Sequence, residues 1–122
     1  MAVGEYTRAI QVNPFYKDAY WHRGWAYDRL GQYQQAIQDF DKAIQLDPYD
    51  GLAHISRGYS YYRSDQYQQA IQDFDKYIQL EPYGTLLAMA YDGRHMANDR
   101  LGNRDMADAD KTIACSLDSK YC

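Results

Sequence analysis

The apolar residues of the chain recur at helical spacing, most clearly in two stretches of identical sequence. Residues 32–42 read QYQQAIQDFDK, and residues 66–76 repeat these letters at an offset of 34. Within each stretch and just after it, the apolar side chains fall on one face of a predicted helix, and the Gln and Asp side chains fall on the other face. In the first copy that face carries Ala36, Ile37, Phe40, Ala43 and Ile44. An internal period of this length predicts stacked helical repeats.

The same pattern predicts two helices in each repeat. The first helix of the first full repeat is predicted over about residues 19–30, and the second over about residues 34–46. Gly31 is a typical helix stop between them, and Pro48 prevents the second helix from continuing. Because neither helix buries its apolar stripe alone, we expect antiparallel pairs that pack on their neighbours.

The period divides the chain into four parts. Residues 1–16 match the second helix of an incomplete repeat, residues 17–50 and 51–84 are full repeats, and residues 85–122 are a degenerate third copy. The third copy aligns with the first at an offset of 71, so three residues are inserted before it. Its last helix is polar, which is typical of the terminal cap of an array.

These residues resemble the tetratricopeptide repeat. The family's signature positions hold Tyr20, Gly24, Tyr27, Ala36, Phe40, Ala43 and Pro48 in one repeat and His54, Gly58, Tyr61, Ala70, Phe74, Tyr77 and Pro82 in the next. The resemblance implies an all-α fold, a right-handed α-α superhelix (a solenoid) of antiparallel helix pairs. It also implies a binding scaffold in which the first helices line a concave groove.

The chain departs from the family pattern at several positions. Arg23 and Arg57 stand where the family often has Leu, and Asp65 stands where the first repeat has its stop glycine. In the third copy His95 replaces the small glycine and Lys111 replaces the core Phe. These departures leave the packing of the third repeat in question.

By position in the family, eight residues are candidates for a peptide-binding groove: Trp21, His22, Trp25, Arg29, Ile55, Tyr59, Tyr62 and Arg63. The same surface is extended by Asp28, Ser56, Met89, Asp92, Met96, Asp99 and Arg100. Trp21 and Trp25 are four residues apart on one helix face, and Trp, Tyr and Arg are common interface anchors. Alternatively, both Trp rings pack against the preceding half repeat, near Ile10 and Phe15.

One subtype of the family is disfavoured. Its members hold two carboxylates with Lys and Asn at fixed positions, where this chain has Trp21, Trp25 and Ser56. The resemblance therefore favours a ligand that stacks on, or buries, apolar side chains.

Charge and hydropathy exclude other classes of partner. The net charge is −4 and no run of Lys or Arg occurs, so we expect no nucleic-acid partner. No apolar stretch approaches 20 residues, so we expect no membrane span. The first residues have neither a basic nor an apolar segment, so no signal peptide is predicted.

The sequence does not predict an enzyme. The three histidines (His22, His54 and His95) fall at different repeat positions, and no metalloprotease, nucleophile-elbow or phosphate-loop motif occurs. We therefore expect no catalytic residues, no metal and no cofactor. The paired aspartates of the second helices are expected on a solvated face: Asp39, Asp41, Asp73 and Asp75.

The two cysteines, Cys115 and Cys122, leave two alternatives open. In an unbroken helix they are separated by roughly 10 Å, which is too far for a disulfide. A turn at Asp118 and Ser119 brings them together, and similar pairs occur in Sel1-like repeat proteins of secreted origin. Free thiols indicate the cytoplasm, which we expect, whereas a disulfide indicates an extracytoplasmic compartment.

Two functions fit the sequence. The first is non-catalytic binding of a protein or peptide in the groove. The second is a structural self-association module that assembles a homo-oligomer through the N-terminal helix. That helix carries Tyr6, Ile10 and Val12 without the partner helix that would cover them.

Overall fold

The computed structural model describes residues 2–122, which form seven α-helices and one short 3₁₀ helix. In chain order they are α1 (Ala2–Val12), α2 (Lys17–Arg29), α3 (Tyr33–Leu46), α4 (Gly51–Arg63), α5 (Tyr67–Leu80), α6 (Leu87–Arg100), α7 (Arg104–Leu117) and the 3₁₀ helix (Ser119–Tyr121). No strand occurs in this part of the chain. The all-α fold class is therefore confirmed.

Each helix packs against the next one along the chain, from α1 on α2 to α6 on α7. The first helices of the three pairs, α2, α4 and α6, also contact one another in succession. The second helices therefore form the other layer of the array, and α1 joins it at the N-terminal end. The apolar stripes are buried between pairs rather than in one central globule, as expected for a solenoid.

One buried phenylalanine lies against a glycine within each full repeat. A Cβ atom added at Gly24 would lie 2.8 Å from Cε1 of Phe40, and one at Gly58 would lie 3.0 Å from Cε1 of Phe74. The rings are thus in contact with the backbone of the first helix. This close approach explains why the two positions hold glycine.

The third pair packs differently from the first two. A Cβ atom at Gly93 would lie 2.5 Å from Cζ of Phe74, so this glycine accommodates the ring of the preceding repeat. Lys111 is exposed in place of a core ring, and His95 places Nδ1 2.8 Å from the carbonyl oxygen of Ala107. The pair is nevertheless closely packed, with four fully buried alanines: Ala90, Ala97, Ala107 and Ala114.

Buried ion pairs join the two helices of every repeat. Arg57 forms a bidentate pair with Asp73, with Nε–Oδ2 and Nη2–Oδ1 distances of 2.9 and 2.7 Å. Sixteen residues also separate the partners of the equivalent pairs, which are Arg23 with Asp39 and Arg94 with Asp110. The hydrogen bonds to Asp110 raise the pKa of Arg94 above its ordinary value.

The expectation of a solvated face is therefore wrong for two of the four aspartates. Asp39 and Asp73 are only 4% and 3% exposed. A carboxylate at this depth is stable only if a cation pairs with it. The other two, Asp41 and Asp75, are half-buried, and each accepts a hydrogen bond from the arginine of the following repeat.

The turns within the three pairs all contain a residue in the left-handed region. Gly31 and Gly102 have φ angles of 77° and 80°, and Asp65 has a φ of 64°. The substitution of Asp for Gly thus leaves the turn geometry unchanged. The aspartate adopts a conformation that is less favourable for a residue with a side chain.

The C-terminal segment turns back on α7. Asp118 is extended, with φ at −151°, and its side chain accepts a hydrogen bond from the Lys120 amide in the first turn of the 3₁₀ helix. Cys122 then forms a disulfide with Cys115, with 4.6 Å between the Cα atoms. Of the two arrangements that the sequence left open, the structure has the turned, bonded one.

Candidate functional site

A groove of about 620 Å³ is lined mainly by residues of the first helices α2 and α4. Six of the eight candidate residues line it: Trp21, Trp25, Arg29, Ile55, Tyr59 and Arg63. Asp28, Ser56 and Met89 of the wider candidate set also contribute to its wall. The groove thus combines side chains of two full repeats with the start of the third.

His22 and Tyr62 do not line this groove. His22 is exposed and stacks on Tyr6 of α1, with 5.1 Å between ring centroids and an interplanar angle of 12°. Tyr62 packs beside Tyr67, 5.6 Å away, and beneath the guanidinium of Arg100. Each is one residue away from a groove position, and one residue corresponds to about 100° of helix rotation.

Four lining residues were not expected from the sequence: Tyr33, Phe40, Leu52 and Leu86. Tyr33 and Phe40 come from α3, whereas the family pattern assigns the groove to first helices only. Leu52 and Leu86 lie next to the loops that precede α4 and α6. Leu52 and Leu86 are 34 residues apart, but the first repeat has Asp18 at the corresponding position, so the pattern does not predict an apolar side chain there.

Trp21 is anchored within the array. Its Nε1 atom donates a hydrogen bond to Oγ of Ser56 across the repeat boundary, at 2.9 Å. The half-buried ring packs against the same buried cluster as Ile10. The alternative of packing near the half repeat therefore describes Trp21 in part, although Phe15 is exposed and takes no part in it.

Trp25 is the exposed aromatic ring of the groove. Its side chain is 45% exposed, and the guanidinium carbon of Arg29 lies 4.7 Å from the ring centroid. The residues on its other side are small or aliphatic, including Ala2, Val3 and Leu30. An exposed tryptophan beside an arginine is a common composition for an interface anchor.

Asp28 and Arg63 form an ion pair between α2 and α4. The distance from Nη1 of Arg63 to Oδ2 of Asp28 is 2.6 Å. The other oxygen, Oδ1 of Asp28, is buried and has no hydrogen-bond partner within residues 2–122. Burial raises the pKa of Asp28 above its ordinary value, although the charge and hydrogen bond of Arg63 oppose this shift.

Tyr59 contributes its ring rather than its hydroxyl group. The hydroxyl donates a hydrogen bond to the Met89 carbonyl at 2.8 Å, and the ring meets Phe74 edge-on, with centroids 4.9 Å apart. Burial raises the pKa of Tyr59, so the phenol stays protonated and keeps this hydrogen bond. The ring thereby has a fixed orientation beside the guanidinium of Arg63, which lies 5.5 Å from its centroid.

The described residues 2–122 contain no group of three or more His, Cys, Asp or Glu side chains that could hold a metal ion. None of their helices is both long enough and apolar enough to cross a membrane.

Sequence comparison identifies the family. Two models of the tetratricopeptide repeat match residues 18–50 and 51–83, which together make up just over half of the chain. The chain belongs to the tetratricopeptide repeat family. No curated protein matches this tetratricopeptide repeat chain in sequence.

Several solved structures have the same fold. MamA is 23% identical with a TM-score of 0.88, and the match covers 96% of this tetratricopeptide repeat chain and 67% of MamA. The first tetratricopeptide repeat domain of Spaghetti (RPAP3), bound to the HSP90 peptide SRMEEVD, is 22% identical with a TM-score of 0.77, and 82% and 77% of the two chains are covered. The Arabidopsis OM64 domain is 23% identical with a TM-score of 0.80 and coverage of 85% and 84%. At these identities the similarity shows the fold alone.

Proposed function

We propose that this chain is a non-catalytic scaffold that binds a protein or peptide segment in the concave groove. The observation that carries the proposal is the position of Trp25. The ring is exposed, lies beside Arg29 and faces the same groove as Ile55 and Tyr59. Aromatic rings that remain partly exposed in a concave site provide apolar area for a ligand to bury.

The polar groups of the groove favour an extended segment that donates hydrogen bonds. Oδ1 of Asp28 is a buried acceptor, and an unsatisfied buried acceptor costs about 1–3 kcal/mol. A backbone N–H or a side-chain amide of a bound peptide would satisfy it once the Asp28 side chain rotates to bring this atom to the groove surface. Arg29, beside the Trp25 ring, offers donors for ligand carbonyl groups.

One structure of the same fold was solved with a bound peptide, which is in line with the proposed peptide ligand. The RPAP3 domain was solved with an acidic HSP90 peptide. In this chain Trp21, Trp25 and Ser56 occupy the positions at which the two-carboxylate clamp of the family places Lys and Asn. We therefore propose an apolar or aromatic ligand side chain over Trp25 instead of a pair of ligand carboxylates.

A peptide screen tests this proposal. Trp21 and Trp25 are the two tryptophans of the chain, so intrinsic fluorescence reports directly on occupation of the groove. Library peptides would be titrated against the parent chain and against Trp25→Ala. We expect the variant to lose about 2 kcal/mol of binding free energy, which is about 30-fold in Kd.

Phe15→Ala is the matched control, because it removes an exposed aromatic ring that does not line the groove. It should bind the selected peptides as tightly as the parent chain. Peptides that bind equally well to Trp25→Ala would contradict the proposal.

Self-association through α1 is the second candidate function. None of residues 2–12 is buried, and Val12 is largely exposed. Another copy of the chain would cover this surface. Light scattering over a wide concentration range tests it: a mass that grows with concentration in the parent but stays monomeric in Val12→Asp supports it, and a constant mass contradicts it.

For location we propose an oxidising compartment rather than the cytoplasm. The support is the bond between Cys115 and Cys122, since disulfides rarely persist among reduced cytoplasmic thiols. Alkylation of the protein at the moment of cell lysis tests this. If both cysteines of each chain are alkylated, the thiols were free in the cell, and this result would favour the cytoplasm.

A further inference from the structure

A second aromatic surface lies along the loops between the helix pairs. Phe15, Tyr49 and Tyr83 each follow a proline directly and are spaced 34 residues apart. Their side chains are 76%, 77% and 98% exposed. Large aromatic side chains that are exposed at the same position of three successive repeat units are not explained by packing within the array. We call this surface the loop edge.

Between the first and second loops of this edge, the chain itself supplies an ammonium group. Nζ of Lys17 lies 2.6 Å from Oδ2 of Asp47 and 3.4 Å from Oδ2 of Asp50. The hydrogen bond between Lys17 and Asp47 raises the pKa of Lys17 and lowers the pKa of Asp47. This pair shows how a lysine is held between two consecutive loops.

Between the second and third loops the same arrangement lacks its cation. One period after Lys17 the chain has Gly51, whereas one period after Asp47 it retains a carboxylate, Glu81. Within residues 2–122, Glu81 forms no ion pair. A pocket of about 640 Å³ opens at this place, bordered by Tyr49 and Tyr83.

We propose that this pocket binds a lysine side chain from an extended segment of a partner protein. The charge of the pocket fits such a ligand, because three carboxylates (Asp47, Asp50 and Glu81) line it together with a single ammonium group, that of Lys17. The ring faces of the two exposed tyrosines also attract cations. The incoming ammonium takes the place relative to Glu81 that Lys17 has relative to Asp47.

The loop-edge pocket is distinct from the concave groove. Leu52 and Leu86 are the residues that line both, and neither tryptophan reaches the loop-edge pocket. The inference therefore does not rest on the proposed groove function. Variants at Trp25 and at Glu81 separate the two sites.

An NMR titration tests the inference. The probe is a short peptide of Gly, Ser and Pro with one central lysine, and the matched peptide carries Nε-acetyl-lysine, which has a similar shape but no charge. We expect the lysine peptide to shift the backbone amide resonances of Gly51 and Gly84. It should bind at least about fivefold more tightly than the acetylated peptide, and more weakly as salt rises from about 20 mM to about 300 mM.

Substitutions locate the site. Glu81→Gln should weaken binding about fivefold and Tyr83→Ala about threefold. Glu5→Gln removes the same charge from exposed α1 and should leave binding unchanged, as should Trp25→Ala. Gly51→Lys restores an internal lysine and should abolish binding. Its Cβ would lie 2.9 Å from Cγ of Glu81, so circular dichroism must first show that this variant folds.

Four results would each overturn the inference. They are equal binding of the two peptides, unchanged binding in Glu81→Gln, loss of binding in Trp25→Ala alone, and no shift of the Gly51 or Gly84 resonances up to about 10 mM peptide. Loss of binding in Glu81→Gln with full binding in Trp25→Ala supports the loop-edge pocket. The groove proposal is unaffected by either outcome.

Discussion

Asp41 of α3 accepts a hydrogen bond from Arg57 of α4, with 2.7 Å between Oδ1 and Nη1, and so joins the first full repeat to the second. The same guanidinium forms the bidentate pair with Asp73 inside its own repeat. One arginine therefore connects three helices. Arg94 does the same one repeat later, with Asp75 and Asp110 as its partners.

Removal of the Arg57 side chain should destabilise the fold, because its partner Asp73 is buried. In Arg57→Ala, the carboxylate of Asp73 stays buried without its cation, which we expect to lower the free energy of unfolding by about 3 kcal/mol. Asp41→Ala breaks the more exposed contact of the same guanidinium and should cost less than about 1 kcal/mol. Urea unfolding of the two variants measures the difference. Equal losses would show that burial of Asp73 does not set the cost.

Gly93 should not tolerate a methyl group. In Gly93→Ala the new Cβ meets the ring of Phe74, which is itself in contact with Gly58, so we expect a loss of about 2 kcal/mol. Gly4→Ala is the matched control, since nothing lies within 4 Å of its Cβ position and alanine favours the helix. Thermal unfolding should show a lower Tm for the first variant and an unchanged or higher Tm for the second. The reverse order would contradict the close approach at Gly93.

Asp65→Gly should stabilise the chain. Glycine removes the cost of a positive φ, about 1 kcal/mol, at a turn where the other two pairs already have Gly31 and Gly102. The hydrogen bond from the Tyr67 hydroxyl to the Asp65 carboxylate is lost in exchange. Because that bond is exposed, we expect a net rise in Tm of a few degrees, roughly 2–4 °C, by calorimetry. A fall in Tm would mean that the lost hydrogen bond contributed more stability than the relief of the positive φ angle provides.

The pKa of the Asp28 carboxyl group should lie above its ordinary value, and the nearby charge of Arg63 should limit the size of this increase. Burial raises the pKa of Asp28, and the nearby guanidinium lowers it. Arg63→Ala removes only the opposing effect, so the pKa should rise further. Carboxyl carbon NMR over a pH series measures this.

Arg29→Ala is the control for this titration. Arg29 also lines the groove but forms no ion pair with Asp28. Its removal should leave the pKa of Asp28 nearly unchanged. A fall in the pKa of Asp28 after Arg63→Ala would contradict the assigned pair.

The helical repeat could be predicted from the sequence, because it depends on a 34-residue period that is directly visible in the sequence. The same period brought six of the eight groove candidates into one cavity. The buried ion pairs were missed, although their signal was present. Arg and Asp recur sixteen residues apart at Arg23, Arg57 and Arg94, yet a polar residue on a helix face is normally solvated. Only the packing of one helix against the next shows that Asp39 and Asp73 are buried.

The positions of His22 and Gly93 could not be predicted for a different reason. Both depend on what lies beside them rather than on their place in the period. His22 turns toward Tyr6 of α1, and Gly93 meets the ring of Phe74 from the preceding repeat. A periodic pattern describes an average repeat and not the exceptions at the ends of an array.

The packing of Phe74 between Gly58 and Gly93 holds the C-terminal helix pair on the array more firmly than α1 is held at the other end. The last helix pair cannot detach without exposing this ring and breaking the bonds of Arg94, whereas none of residues 2–12 is buried. In a linear array, where each unit is stabilised by its neighbours, the least anchored end opens first. The chain should therefore lose its structure from the N-terminus inward, and amide hydrogen exchange should be fastest in α1 and slowest around α5.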